Sequence, residues 1–187
     1  METLPKALAR GLSVRYNVAQ VRVRRGWHVE FGGESVQARA VVVAVPAYAG
    51  ARVLCDVDSD LLQQLSSVSY APILVAASSI RDTQRKAPLN GFGFLVPRSE
   101  GLSILGTLFS SSLFPGRAPA GCALMTSFLG GALSPELVGW SDDRLWETVN
   151  MELKRILQFE GETRPLRLFR YERAIPQYRV GHSAWRE

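Results

Sequence analysis

Three consecutive serines (Ser110-Ser111-Ser112), two histidines (His28, His182) and two cysteines (Cys55, Cys122) are the residues whose types could do chemistry unaided. A serine nucleophile needs a base beside it and a sharp elbow to present it. No G-x-S-x-G occurs, and neither histidine lies near the serines in sequence. The cysteines are far apart, with no C-x-x-C, so free thiols are expected, with neither a disulfide framework nor a zinc site. Two isolated histidines do not make a metal centre. His182, in a Gly-His turn, is a weak candidate for a general base. Gly91-Phe92-Gly93 starts like a nucleotide loop, but Val96 stands where the third glycine belongs and no helix follows. No G-x-G-x-x-G opens a strand–turn–helix anywhere, so the chain lacks the usual seat for a dinucleotide pyrophosphate.

What remains is an apolar set: Phe92, Phe94, Leu95, Leu108, Phe128 and Tyr178. By periodicity alone such residues are more often core. They also suit a slot for a flat ligand with polar groups only at its rim.

The elements that must position this set can be read from pattern. Glu2–Arg10 is expected as a short helix ended by Gly11. Val14–Tyr16, Val18–Arg25 and Trp27–Phe31 read as strands, with turns at Gly26 and Gly32-Gly33. Gln37–Val45, nearly all apolar, reads as a strand buried on both faces and ended by Pro46. Asp58–Val68 is expected as a helix with Leu61, Leu62 and Leu65 inward. Tyr70–Ile80, Phe92–Val96, Ser103–Phe109 and Cys122–Leu129 are strand-like, separated by Gly- and Pro-bearing connections. Leu105–Pro119 runs from a strand into a surface loop stiffened by Pro115 and Pro119. Ser134 with Pro135 opens a short helix. Asp142–Phe159 is the clearest helix, with Leu145, Val149, Leu153 and Ile156 on one face and two aspartates in its first turn. Leu166–Tyr171 is the last strand, and Ala174–His182 a tight turn. The order predicts an α+β fold: a mixed or antiparallel sheet with helices, preceded by a β-meander. A boundary is expected after residue 54, giving domains 1–54 and 55–187.

The chain has 187 residues, 47% of them hydrophobic and 21% charged, with net charge +5. That is enough for a real core. No segment approaches a membrane span and no signal peptide is evident, so a cytoplasmic protein, or one lying peripherally on a membrane, is expected. The arginines are scattered; Arg22 and Arg24 should share a solvated strand face, which argues against nucleic acid. A basic chain suits a substrate carrying several carboxylates or an anionic membrane surface, and composition does not separate the two.

Four pieces in order, GFGFLVP, LGTLFSS, FPGRAP and TSFLGG, followed by AIPQYRVGH, resemble the protoporphyrinogen oxidase family of the flavin amine oxidase superfamily. The resemblance covers nearly the whole chain and is weakest before residue 60. It implies an FAD-dependent oxidation of protoporphyrinogen or coproporphyrinogen to the porphyrin, with oxygen as acceptor. Residues 1–54 would be part of an FAD-binding domain and 55–187 the substrate-binding domain. By position, Leu95, Leu108 and Phe128 look like residues lining the porphyrinogen slot. Val18 would lie along the adenine end of FAD, and Ala44 and Pro46 near the cofactor. Tyr171, standing where a tryptophan is usual, is counted with the cofactor side. The resemblance designates no catalytic residue and no metal ligand, and leaves room for a homodimer. The phosphate loop, the ribose-binding acid and the arginine that holds a substrate propionate have no counterpart here. METLPKALA resembles an internal stretch, so an internal piece is expected, inactive alone and binding FAD weakly at best. Two rivals stay open: a flavin-free tetrapyrrole-binding module, and another amine oxidase or carotenoid desaturase relative.

Overall fold

The computed structural model describes residues 2–181. They form two compact units: residues 2–68 with Gly181, and Ser69–Val180. His182 lies outside the described residues.

The first unit opens with helix α1 (Thr3–Leu8) and holds an antiparallel meander of β1 (Arg22–Arg24), β2 (His28–Phe31) and β3 (Glu34–Gln37). Val23 pairs with Val29, and Val29 with Val36. Gly32 and Gly33 both take positive φ, the geometry a two-residue hairpin demands for strands with right-handed twist. The strands expected over residues 14–20 do not form. Asn17 and Gln20 adopt positive φ there, which breaks an extended run. Arg22 and Arg24 share a face as expected, but both reach Asp56, at 3.7 and 2.7 Å. Glu30 and Asp56 together raise the Arg24 pKa, the hydrogen bond that Arg24 donates to Glu30 most.

The buried strand expected at Gln37–Val45 is corrected. Only Gln37 lies in a strand, and Val42 is 90% exposed. A strand needs ladder partners, and none is present for this run among the described residues. Its Val43 and Val45 pack instead near Gly50 of helix α2 (Ala47–Val53), which the sequence reading lacked. Helix α3 (Ser59–Ser67) follows. Asp58 caps it, its carboxylate accepting from the amides of Asp60 (2.8 Å) and Leu61 (3.1 Å).

The second unit is built on a five-stranded sheet in the order β5-β6-β7-β4-β8, every neighbouring pair antiparallel. The strands are β4 (Tyr70–Arg81), β5 (Gly93–Leu95), β6 (Ile104–Leu108), β7 (Cys122–Gly130) and β8 (Arg164–Pro176). The last is longer than predicted, so Ala174–Pro176 belong to the strand and not to a turn. Ser110–Leu113, expected as loop, winds into a short helix, α4. Helix α5 (Asp142–Leu157) has Ser141 as N-cap and Gln158 in the left-handed region at its C-terminus.

Helix α5 covers one face of this sheet. Its Leu145, Val149 and Leu153 are fully buried in one cluster with Leu74, Ala76 and Ile80 of β4, and Met125 and Leu129 of β7. The alternation of β7 is complete: odd residues from Ala123 to Leu129 face the core and even ones face away. A buried carboxylate ties the helix to the sheet. Glu152 is 5% exposed and accepts from the amides of Ser103 and Ile104, both at 2.8 Å.

Candidate functional site

The face of the sheet away from α5 carries the expected slot residues. Thr107 and Ser127 are buried on the core face, joined hydroxyl to hydroxyl at 2.9 Å. Their ladder neighbours therefore point the other way. One cross-strand row on that open face reads Leu95, Gly106, Phe128, Val75, Phe169; the next reads Gly93, Leu108, Thr126, Ala77, Arg167. Leu95, Leu108 and Phe128 thus fall on one face in two adjacent rows. Leu95 is 87% exposed, and Leu108 and Phe128 are half-buried. A side chain so apolar and so exposed in a ladder marks a contact surface rather than a core.

Two glycines shape this patch. A Cβ on Gly106 would meet the carbonyl oxygen of Phe94 at 2.7 Å and Leu95 Cδ2 at 2.9 Å; one on Gly93 would meet the Thr107 carbonyl oxygen at 2.0 Å. Strand glycines here permit close backbone approach. The leucine of β5 can lie over Gly106 only because that position has no side chain.

Phe94 is corrected. It points to the core face and meets Phe109 edge-to-face, with ring centres 6.1 Å apart. Strand alternation does not let Phe94 and Leu95 share a face. Phe92 and Tyr178 are exposed and lie outside the ladders. Tyr171 is in register with Ile73, one row beyond Phe169 on the open face, and its ring stacks on that of Phe169 at 6.4 Å. Val18, Ala44 and Pro46 belong to the other unit; Val18 and Ala44 are exposed, and Pro46 precedes α2.

The three serines hold structure. Ser110 Oγ pairs with Thr126 Oγ1 at 2.8 Å, Ser111 Oγ accepts from the Leu124 amide at 3.0 Å, and Ser112 Oγ donates to the Leu89 carbonyl at 2.5 Å. They pin α4 to β7. Cys55 and Cys122 are both free and half-buried. Among the described residues no cluster of His, Cys, Asp or Glu could hold a metal, and no helix is long and apolar enough to cross a membrane.

A dinucleotide phosphate needs free amides at a helix N-terminus. Asp58 already occupies the first amides of α3, and α5 opens with Asp142 and Asp143, which repel an anion. Neither α3 nor α5 therefore offers such a seat. What the described residues offer is an apolar surface.

The profile of flavin containing amine oxidoreductases matches residues 1–187. Curated relatives agree. The chain is 38% identical to the chloroplastic protoporphyrinogen oxidase of Oryza sativa over 81% of this chain, and 36% identical to that of Nicotiana tabacum over 84%. It is 25% identical to the coproporphyrinogen III oxidase of Bacillus subtilis over 81% of the chain. It spans 30% to 32% of the length of these three relatives. Among solved structures, a putative protoporphyrinogen oxidase from Exiguobacterium superposes with TM-score 0.72 at 22% identity, covering 98% of this chain and 41% of that one. A putrescine oxidase superposes with TM-score 0.69 at 17% identity, covering 96% and 42%. These likenesses show the fold. The chain belongs to the flavin containing amine oxidoreductase family, whose cofactor is FAD.

Proposed function

We propose that this chain supplies the substrate-binding part of an FAD-dependent porphyrinogen oxidase. The observation that carries the reading is the open row Leu95, Gly106, Phe128, Val75, Phe169, which places four apolar side chains on one face of the sheet with none at its second position. A flat macrocycle matches such a surface. A small aliphatic amine does not need it. The identity to protoporphyrinogen and coproporphyrinogen oxidases supports the same substrate class.

When bound, FAD would take hydride from the reduced macrocycle and pass electrons to oxygen. The part of these residues is to hold the macrocycle flat and keep its surface dry, so that binding energy is spent on orientation. Residues 1–54 are assigned to the flavin side, with Val18, Ala44 and Pro46 near it, and 55–187 to the substrate side, with Leu95, Leu108 and Phe128 against the macrocycle. Tyr171 is assigned to the cofactor side with Val18, Ala44 and Pro46.

The test is a titration of the chain with protoporphyrin IX, followed by the shift of the porphyrin absorption band. Saturable binding weakened by Phe128→Ala is expected. Binding indifferent to Phe128→Ala and Leu108→Ala alike would remove the surface from the argument. A flavin-free tetrapyrrole-binding module is the second reading, favoured by the lack of a G-x-G-x-x-G loop in this sequence. Unchanged porphyrin affinity on adding FAD, with no flavin retained, would favour it.

A further inference from the structure

The open face ends, at its β8 edge, in a guanidinium. Arg167 is in register with Ala77, in the row that contains Leu108, so it leaves the sheet on the same side as Phe128. Its Cζ lies 5.3 Å from the centre of the Phe169 ring, and Phe169 in turn stacks on Tyr171. Contact with an aromatic face holds a guanidinium in place and leaves its N–H edge free to fork onto a carboxylate.

Several other described arginines have carboxylate partners, while Arg117 and Arg144, like Arg167, lie over aromatic rings without one. Arg15 pairs with Glu34, Arg24 with Asp56, Arg85 with Asp82 and Arg170 with Asp142. Arg170 is instructive because it lies three residues along the same strand. It points to the opposite face, where it also donates to the Val138 carbonyl at 2.6 Å. No ion pair joins Arg167 to a carboxylate among the described residues. A fixed cation without a counter-charge, at the border of an apolar surface, is complementary to a flat apolar ligand with an anionic edge.

We propose that Arg167 binds a carboxylate of the macrocyclic ligand and so sets which way round it lies on the Leu95–Phe128 row. Two inter-strand spacings, about 10 Å, separate the backbones of β7 and β8. A macrocycle centred on Phe128 would therefore bring a propionate at its edge to the Arg167 side. The inference rests on the porphyrinogen reading above and adds to it a residue for orientation. Arg167 would act as a positioning residue through a charge-assisted, bidentate contact.

The experiment compares protoporphyrin IX with its dimethyl ester, both titrated into the 187-residue chain in the same detergent. The free acid should bind about tenfold tighter than the ester, a ratio that falls as salt is added. Arg167→Met should weaken the acid about tenfold and leave the ester unchanged. Arg167→Lys should keep part of the preference, and Arg155→Met, on α5 behind the sheet, all of it. If Arg167→Met is folded and the acid keeps its advantage, the inference is overturned while the surface reading stands, provided Phe128→Ala still weakens both ligands. Should Arg167→Met not fold, Arg167→Lys and the salt dependence of the wild-type ratio decide. Failure of both ligands to bind the wild-type chain overturns the surface reading and this inference together.

Discussion

Gly106 of β6 stands directly opposite Phe128 of β7, and the missing side chain at 106 is what allows Leu95 to lie over the β6 backbone. The face that would meet a ligand therefore depends on a position with no side chain. The core face depends on the neighbouring position, where Thr107 bonds Ser127. One residue of β6 serves the surface and the next serves the fold.

Gly106→Ala tests the first half of that statement. The new Cβ would meet a backbone oxygen, which cannot swing aside as a side-chain tip can. A loss of roughly 1–3 kcal/mol is expected from overpacking. Urea unfolding checks it, and porphyrin affinity should fall together with stability.

Leu95→Ala should separate the two properties. Leu95 is 87% exposed, so stability should move by no more than about 0.5 kcal/mol. Porphyrin affinity should drop about fivefold to tenfold, because a leucine buried by the ligand contributes a kcal/mol or more. A thermal melt and a titration on one preparation give both numbers.

Glu152→Gln should do the reverse. The carboxylate accepts from two amides at once, and an amide side chain offers only one oxygen. Leaving a buried N–H without a partner costs about 1–3 kcal/mol. The variant should unfold at lower urea concentration and still bind porphyrin at the temperature where it remains folded.

Asp58→Ala should act locally. Removing an N-cap costs about 1 kcal/mol. The effect should appear as faster hydrogen exchange across Ser59–Ser67, whose first amides Asp58 holds, with no change in the amides of β4 or β7. A single unfolding midpoint would be the wrong observable for a chain with two compact units.

Elements whose signal is internal to the segment were legible in the sequence. Helix α5 shows its 3.6-residue stripe of Leu145, Val149 and Leu153, and β4 and β7 show their runs and turn residues. The slot residues Leu95, Leu108 and Phe128 came from the resemblance, and strand alternation explains their common face. Elements defined by partners were not legible. Gln37–Val45 has a strand's composition, yet among the described residues nothing pairs with it. Helix α2 follows Pro46 and is rich in small residues, so no apolar stripe announced it. Phe94 was misread because composition alone does not say which parity faces the core. Arg167 was missed, although the alternation of Leu166, Leu168 and Arg170 against Arg167, Phe169 and Tyr171 was there to be read.

Strand β8 closes the sheet at one side, with thirteen residues and an edge that no described strand covers. An uncovered edge of that length is an invitation for identical chains to add to one another. Arg164, Arg167 and Arg173 are spaced along it against the single acid Glu172, while Arg170 is paired with Asp142. Two such edges brought together would set guanidinium against guanidinium along much of their length. The protein's colloidal behaviour follows from this: concentrated solutions should stay clear at low ionic strength and cloud as salt screens the repulsion, the opposite of ordinary salting-in.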